Sequence, residues 1–173
     1  MKKTFMALTL ASLFMAGAAQ AQDHSATVTV HGSIVGDHTE CTVTTSQSTV
    51  TLSGQLADLP IQGQNATTPA VLDYGISGSE GGSCVGKVAI VLNGVADDAD
   101  GTTLINSNPT AGAAKGIGIG LFDANYKPIT INSNQLKVDS EIGQIYLQAV
   151  RLNGQVPVEG TVDGSLTLNI IRL

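Results

Sequence analysis

Three histidines, His24, His31 and His38, stand seven residues apart near the start of the chain, a residue type and regularity that could suggest a metal site. Seven is odd, so in a continuous strand successive histidines point to opposite faces and do not converge on one ion. Asp97, Asp98 and Asp100 before Gly101 have the composition of a calcium loop. They lack the alternating ligand positions and the distal glutamate that calcium coordination uses, and read as a solvated turn. Serines are plentiful, but none sits in a Gly-x-Ser-x-Gly elbow that would expose a nucleophile. The Gly-Ile-Gly-Ile-Gly run at 116–120 is not followed by a helical pattern, so it does not cradle phosphate. Asn65-Ala66-Thr67 fits the glycosylation triplet and reads as a loop. These patterns predict no catalytic residue, no metal site and no cofactor: the chain is not expected to be an enzyme.

The two cysteines, Cys41 and Cys84, have a different chemistry open to them. Lys2 and Lys3 precede a mostly apolar run from Phe5 to Ala18, and Ala19-Gln20-Ala21 supplies small residues where a signal peptidase cleaves. Residues 1–21 are therefore expected to be a secretory leader, and the exported chain meets an oxidising compartment in which the cysteines pair. Closing a loop of about 44 residues would stabilise the domain by roughly 4 kcal/mol on the chain-entropy model. No CxxC and no neighbouring histidine pair offers zinc an alternative.

The remaining chain, about 150 residues, is enough for one domain with a real core and too little for two. Removing Lys2 and Lys3 from 8 basic residues against 14 acidic ones leaves a formal charge of −8. That balance argues against nucleic acid and anionic membrane as partners. Aromatic residues make up 3% of the chain and tryptophan is absent, which disfavours a sugar-stacking platform.

The elements that must hold these residues are strands. Short alternating or apolar runs end at turn signals: 49–52 before Ser53-Gly54, 70–74 after Pro69, 87–92 before Asn93-Gly94, 117–121, 128–131, and 145–149 before Asn153-Gly154. Asn153-Gly154 has the composition of a hairpin turn. Glycine recurs at 116, 118 and 120 on one face, which predicts close approach of another backbone or layer. The stretch 96–114 reads as loop. No amphipathic helix of useful length is present, and the pattern predicts an all-β sandwich.

Two segments have no obvious partner. Near the start, Val28, Val30, Gly32 and Ile34 fall on one face at period two, with Thr27, Thr29, His31 and Ser33 on the other. At the end, Val162, Leu166, Leu168 and Ile170 share a face, with Gly164 in phase, and the chain stops at Leu173. A strand that runs to the terminus cannot hand its chain on to a further neighbour. Its free edge must be covered by an earlier segment or by another molecule.

Taken in order, the alternating segment 28–34, Cys41 and Cys84 at their separation, the run 113–121 followed by Pro128-Ile129, and the terminal strand resemble subunits of chaperone–usher fimbriae, the type 1 pilin-like family. Gly160, fourteen residues from the C-terminus, occupies the place of a glycine common in that family, while Arg172 replaces its penultimate tyrosine. The resemblance implies an incomplete immunoglobulin-like sandwich that lacks one strand. A periplasmic chaperone would supply that strand first, and the N-terminal extension of a neighbouring subunit second, a mode of β-augmentation. It further implies residues 22–38 as donor-strand extension, with Val28, Val30, Gly32 and Ile34 facing the acceptor. Residues 39–173 become the pilin domain, with Gly160, Val162, Gly164, Leu166, Leu168 and Ile170 on the groove and chaperone-contact strand. The implied partners are neighbouring pilus subunits, the chaperone and an outer-membrane usher, on a route through the periplasm to a surface fimbria that supports adhesion. The competing expectation is a self-contained exported sandwich that binds a small ligand or sugar and keeps its first strand in its own sheet.

Overall fold

The computed structural model describes residues 39–173; the expectations placed on residues 1–38 lie outside them. Nine strands form two antiparallel sheets: β1 Cys41–Thr45, β2 Ala70–Gly78, β3 Val88–Asn93, β4 Leu104–Ile105, β5 Ile117–Phe122, β6 Pro128–Ile129, β7 Gln135–Lys137, β8 Ile142–Arg151 and β9 Thr167–Arg172. One sheet runs β1-β2-β8-β5-β4, with β6 also on β5; the other runs β7-β3-β9. Two short 3-10 turns, Leu56–Asp58 and Ser79–Gly81, are the helical elements among the described residues. Among those residues no helix is long and apolar enough to cross a membrane.

The alternation that predicts the strands also builds the core. Leu72 and Ile76 of β2, Ile145 and Leu147 of β8, and Ile119 and Leu121 of β5 point inward from the larger sheet. Val88, Ile90 and Leu92 of β3 meet them from the smaller one, fully buried. Period-two placement of branched side chains on facing sheets is what makes this packing continuous. The outward face of the larger sheet is covered too. Phe122 and Val150 pack with Ala66 from the 59–69 loop, and Gln148 holds that loop by accepting from the amides of Thr67 and Thr68.

The glycines of β5 lie on this covered face. A Cβ at Gly118 would come within 2.6 Å of the Thr103 hydroxyl, and one at Gly120 within 2.8 Å of the Phe122 ring. The close approach inferred from their spacing is therefore with the overlying loop and the strand's own aromatic residue.

The disulfide joins Cys41 of β1 to Cys84 in the segment leading to β3, and so ties one sheet to the other. Two sequence expectations need correction. The segment 49–52 forms no strand, although Val50 and Leu52 lean on the core. The turn at Asn153-Gly154 does not return the chain along β8; it crosses to Lys115, where Val158 makes an antiparallel bridge.

The aspartate cluster is a solvated turn only in part, since Asp98 and Asp100 are exposed. Asp97 is buried; its Oδ1 accepts from the amides of Ala99, Asp100 and Gly101. Its Oδ2 accepts from the amide and hydroxyl of Thr103 and from the Gln62 side chain. Gln62 reaches Asp100 as well, and Asp100 accepts from the Asn153 side chain. Two carboxylates, those of Asp97 and Asp100, thus fasten three loops. Burial pushes the Asp97 carboxyl up, but the hydrogen bonds from Thr103, Ala99, Gln62 and Gly101 outweigh it and hold the group below its ordinary value of 3.8. A group with a lowered folded value contributes stability above the unfolded value and loses it as pH falls through the folded one. The domain should therefore lose stability as pH drops below 3.8. Asp97→Ala, which strands these donors, should cost about 3 kcal/mol or more in urea unfolding at neutral pH and flatten the acid limb.

Candidate functional site

Among the described residues the smaller sheet ends at β9, and β9 has one neighbour. The Leu173 amide donates to the Lys87 carbonyl, and the β3 register pairs Val88 with Arg172 through Asn93 with Thr167. In an antiparallel ladder a residue directs both backbone groups to the same side. The odd-numbered residues 167, 169 and 171 therefore face β3, because Leu173 does. From the other edge of β3, Val88 and Leu92 accept from Val138 and Asn132, which fixes the same parity independently. Leu168 and Ile170 consequently direct their N–H and C=O groups away from β3, to an edge that no described strand pairs.

Across that edge lies the segment 47–54, which makes no backbone–backbone hydrogen bond among the described residues. Between the two runs a long groove, apolar at its floor and polar at its rims, where Thr49, Thr51, Asp163 and Ser165 stand. Its first part, about 540 Å³, is floored by Leu72, Leu104, Ile119 and Leu147, with Val50 and Leu52 on one wall and Val162, Leu166 and Leu168 on the other. The second part, about 360 Å³, continues past Leu52 and Val162 over Ala114, Ile117 and Ala149 to Val158 and Gly160. Two facing rows of unpaired backbone above an apolar floor have the outline of a missing strand: hydrogen-bonding groups on both sides and pockets between.

The wall from 158 to 166 is held in place rather than paired into a sheet. The Asn106 side chain donates to the carbonyls of Ala114 and Thr161 and accepts from the Asp163 amide. Asn108 donates to the hydroxyl of Thr161 and the carboxylate of Asp163. Sequence reasoning missed both asparagines, since their partners on this wall, Thr161 and Asp163, lie more than fifty positions away and no spacing announces them. Gly160 sits so close to the 112–114 backbone that a Cβ would come within 2.4 Å of the Ala114 nitrogen and the Gly112 oxygen. Neither contact atom belongs to a side chain that could move, so this position admits glycine alone.

Of the residues assigned to the terminal strand, Gly160, Val162, Gly164, Leu166 and Leu168 line the groove. Ile170 packs on the core beyond its end. Regular strand begins only at Thr167; the preceding residues bend onto the 105–114 loop. Val28, Val30, Gly32 and Ile34 lie outside the described residues. At the end of β9, the Arg172 guanidinium donates to the Thr39 carbonyl. The Thr39 side chain sits against Gly78 and Gly82, where any Cβ would collide with it. The point at which the chain enters the domain is therefore fastened beside the disulfide. Among the described residues no group of three histidine, cysteine, aspartate or glutamate side chains is placed to hold a metal.

Comparison with known proteins gives the family and the fold. The family model described as "Fimbrial protein" matches residues 24–171. The chain is 31% identical over 147 residues to the probable major fimbrial subunit LpfA of Escherichia coli O157:H7, covering 85% of this chain and 82% of that one. It is 30% identical over 154 residues to the long polar fimbria protein A of Salmonella typhimurium strain LT2, with the same two coverages. Among solved structures, the P pilus rod subunit PapA superposes with a TM-score of 0.55 over 86% of this chain and 100% of that one, at 14% identity, a likeness of fold.

Proposed function

The chain belongs to the fimbrial protein family and is a structural pilus subunit, and from that premise we propose that successive copies are joined by donated strands. Residues 22–38 of one copy lie in the groove of another, with Val28, Val30, Gly32 and Ile34 facing the floor. Burying three branched side chains contributes roughly 5–9 kcal/mol by area before ordering costs. Pairing with the free edge of β9 adds backbone hydrogen bonds. The observation that carries this reading is the edge itself, with the N–H and C=O groups of Leu168 and Ile170 directed over an apolar trough.

The same vacancy gives the other partners their roles. Residues 1–21 direct export and are removed. A periplasmic chaperone occupies the groove until an outer-membrane usher exchanges its strand for the extension of a neighbouring subunit, and the fibre that emerges at the cell surface supports adhesion. A chain lacking residues 22–38 should bind chaperone as well as the intact chain does and yet form no fibres when it is the sole subunit, as read by electron microscopy of surface preparations. Fibres built from the truncated chain would sink the reading.

A further inference from the structure

The chain carries two Asn-Gly pairs, Asn93-Gly94 and Asn153-Gly154, and the fold treats them oppositely. Asn93 closes β3 in register with Thr167, and its side-chain oxygen is buried. Asn132 holds Gly94 by both backbone groups, accepting from its amide at 3.1 Å and donating to its carbonyl at 3.0 Å. A Cβ on Gly94 would collide with the Leu104 side chain, so this backbone is packed tightly on the core. Asn153 and Gly154 instead form the exposed tip of the turn from Leu152 to Gln155. The Gly154 amide has no acceptor among the described residues, and a Cβ there would meet nothing within 4 Å. Gly154 is left-handed, with φ at 73°, a conformation that favours glycine. The turn therefore selects, next to an exposed asparagine, the residue whose nitrogen is least hindered.

We propose that Asn153 is a site of spontaneous deamidation, restrained by the Asp97–Asp100 junction and unfastening that junction once it occurs. The Gly154 nitrogen gives up its proton to hydroxide and bonds to the side-chain carbonyl carbon of Asn153. The bond from that carbon to Nδ2 breaks, and the nitrogen takes a proton from water and leaves as ammonia. Water then adds to either carbonyl of the cyclic imide and opens it to aspartate or isoaspartate. One water is consumed for each ammonia released, the hydroxide is regenerated, and nothing is oxidised or reduced.

Two hydrogen bonds hold the reactant. The backbone amide of Asn153 donates to Gln62 Oε1 at 3.1 Å, and its Nδ2 donates to Asp100 Oδ2 at 3.1 Å. The second engages the leaving nitrogen and slows rotation of the side chain towards Gly154. Asp100 is exposed, so water competes for that bond and opens it. The product cannot remake it. A carboxylate at this position has no proton to offer, and it sets a second negative charge against Asp100. Isoaspartate also lengthens the backbone by a methylene, which displaces the amide from which Gln62 accepts. Gln62 in turn bridges Asp97 and Asp100, so the loss reaches the buried carboxylate.

The test incubates the purified full chain at mildly alkaline pH and maps it by mass spectrometry over time. The expected result is a mass gain of about 1 Da at Asn153, as aspartate and isoaspartate together. It should appear about tenfold or more faster than at Asn93, whose reaction needs the end of β3 to open. Asp100→Ala, which frees the side chain, should speed the reaction at Asn153 severalfold and leave Asn93 unchanged. The modified chain, separated by its extra negative charge, should unfold at lower urea than the unmodified one, and Asn153→Asp should reproduce part of that shift. Comparable rates at the two asparagines, or no reaction at Asn153 under conditions that deamidate a short peptide of the same sequence, overturn the proposal. An unchanged rate in Asp100→Ala overturns the restraint by the junction. A modified chain with an unaltered urea midpoint overturns the unfastening.

Discussion

Gly32→Arg should abolish assembly while leaving the domain folded. The residue is in phase with Val28, Val30 and Ile34, so in the proposed donated strand it would face the groove floor, where Leu72, Leu104, Ile119 and Leu147 offer no polar partner. A guanidinium directed at these aliphatic side chains would be stripped of water without an acceptor on the floor, at a cost of several kcal/mol. The same arginine would also hold the strand off the β9 edge and remove the pairing on either side of it. A loss of 4 kcal/mol or more corresponds to about a thousandfold in affinity, enough to leave subunits unassembled at the concentrations of a cell surface. Thr29→Arg is the matched control: it faces outward, keeps the same added charge and should assemble normally. Sedimentation of assembled material distinguishes the two variants, and equal loss in both would mean that the strand's phase is wrong.

Removal of the disulfide should have the largest effect on the domain itself. Cys41–Cys84 connects β1 in one sheet to the approach of β3 in the other, and it does so beside the side of the sandwich where a strand is wanting. Among the described residues β9 and the 47–54 segment are unpaired across the groove, and the two sheets depend there on packing. Cys41→Ala with Cys84→Ala should therefore cost about 2–5 kcal/mol, a large share of the 5–15 kcal/mol typical of a whole domain. The variant should unfold at markedly lower urea, and saturation with the 22–38 peptide should recover part of the loss, since a ligand bound only by the folded state stabilises it.

Much of this was legible from residues alone, for reasons that differ by element. The cores of β2, β3, β5 and β8 announce themselves because each strand has neighbours within the chain that use its alternation. The segment 49–52 alternates just as clearly and yet forms no strand. Its pattern is that of a groove wall, and pairing needs a neighbour that the described residues do not include. The terminal run likewise alternates from Val162 onward, but Asn106 and Asn108 pull residues 161–163 onto a distant loop, so regular pairing waits until Thr167. Asp97 departs from the expectation because three aspartates within four positions have the look of a hydrated turn; the donor that helps bury it, Gln62, comes from 35 residues earlier. Local pattern thus specifies which faces are apolar, while long-range polar contacts decide where strands begin and which carboxylates are buried.

The backbone amides of Leu168 and Ile170 provide the most direct measurement of the central claim. In the isolated domain they point to the free edge of β9, whereas those of Asn169 and Ile171 already pair with β3. Hydrogen exchange of the full chain, measured residue by residue before and after assembly into fibres, should show Leu168 and Ile170 gaining protection of about a hundredfold or more, while Asn169 and Ile171 are protected throughout. If Leu168 and Ile170 exchange equally fast in fibre and monomer, no strand lies along that edge and the account of assembly is wrong.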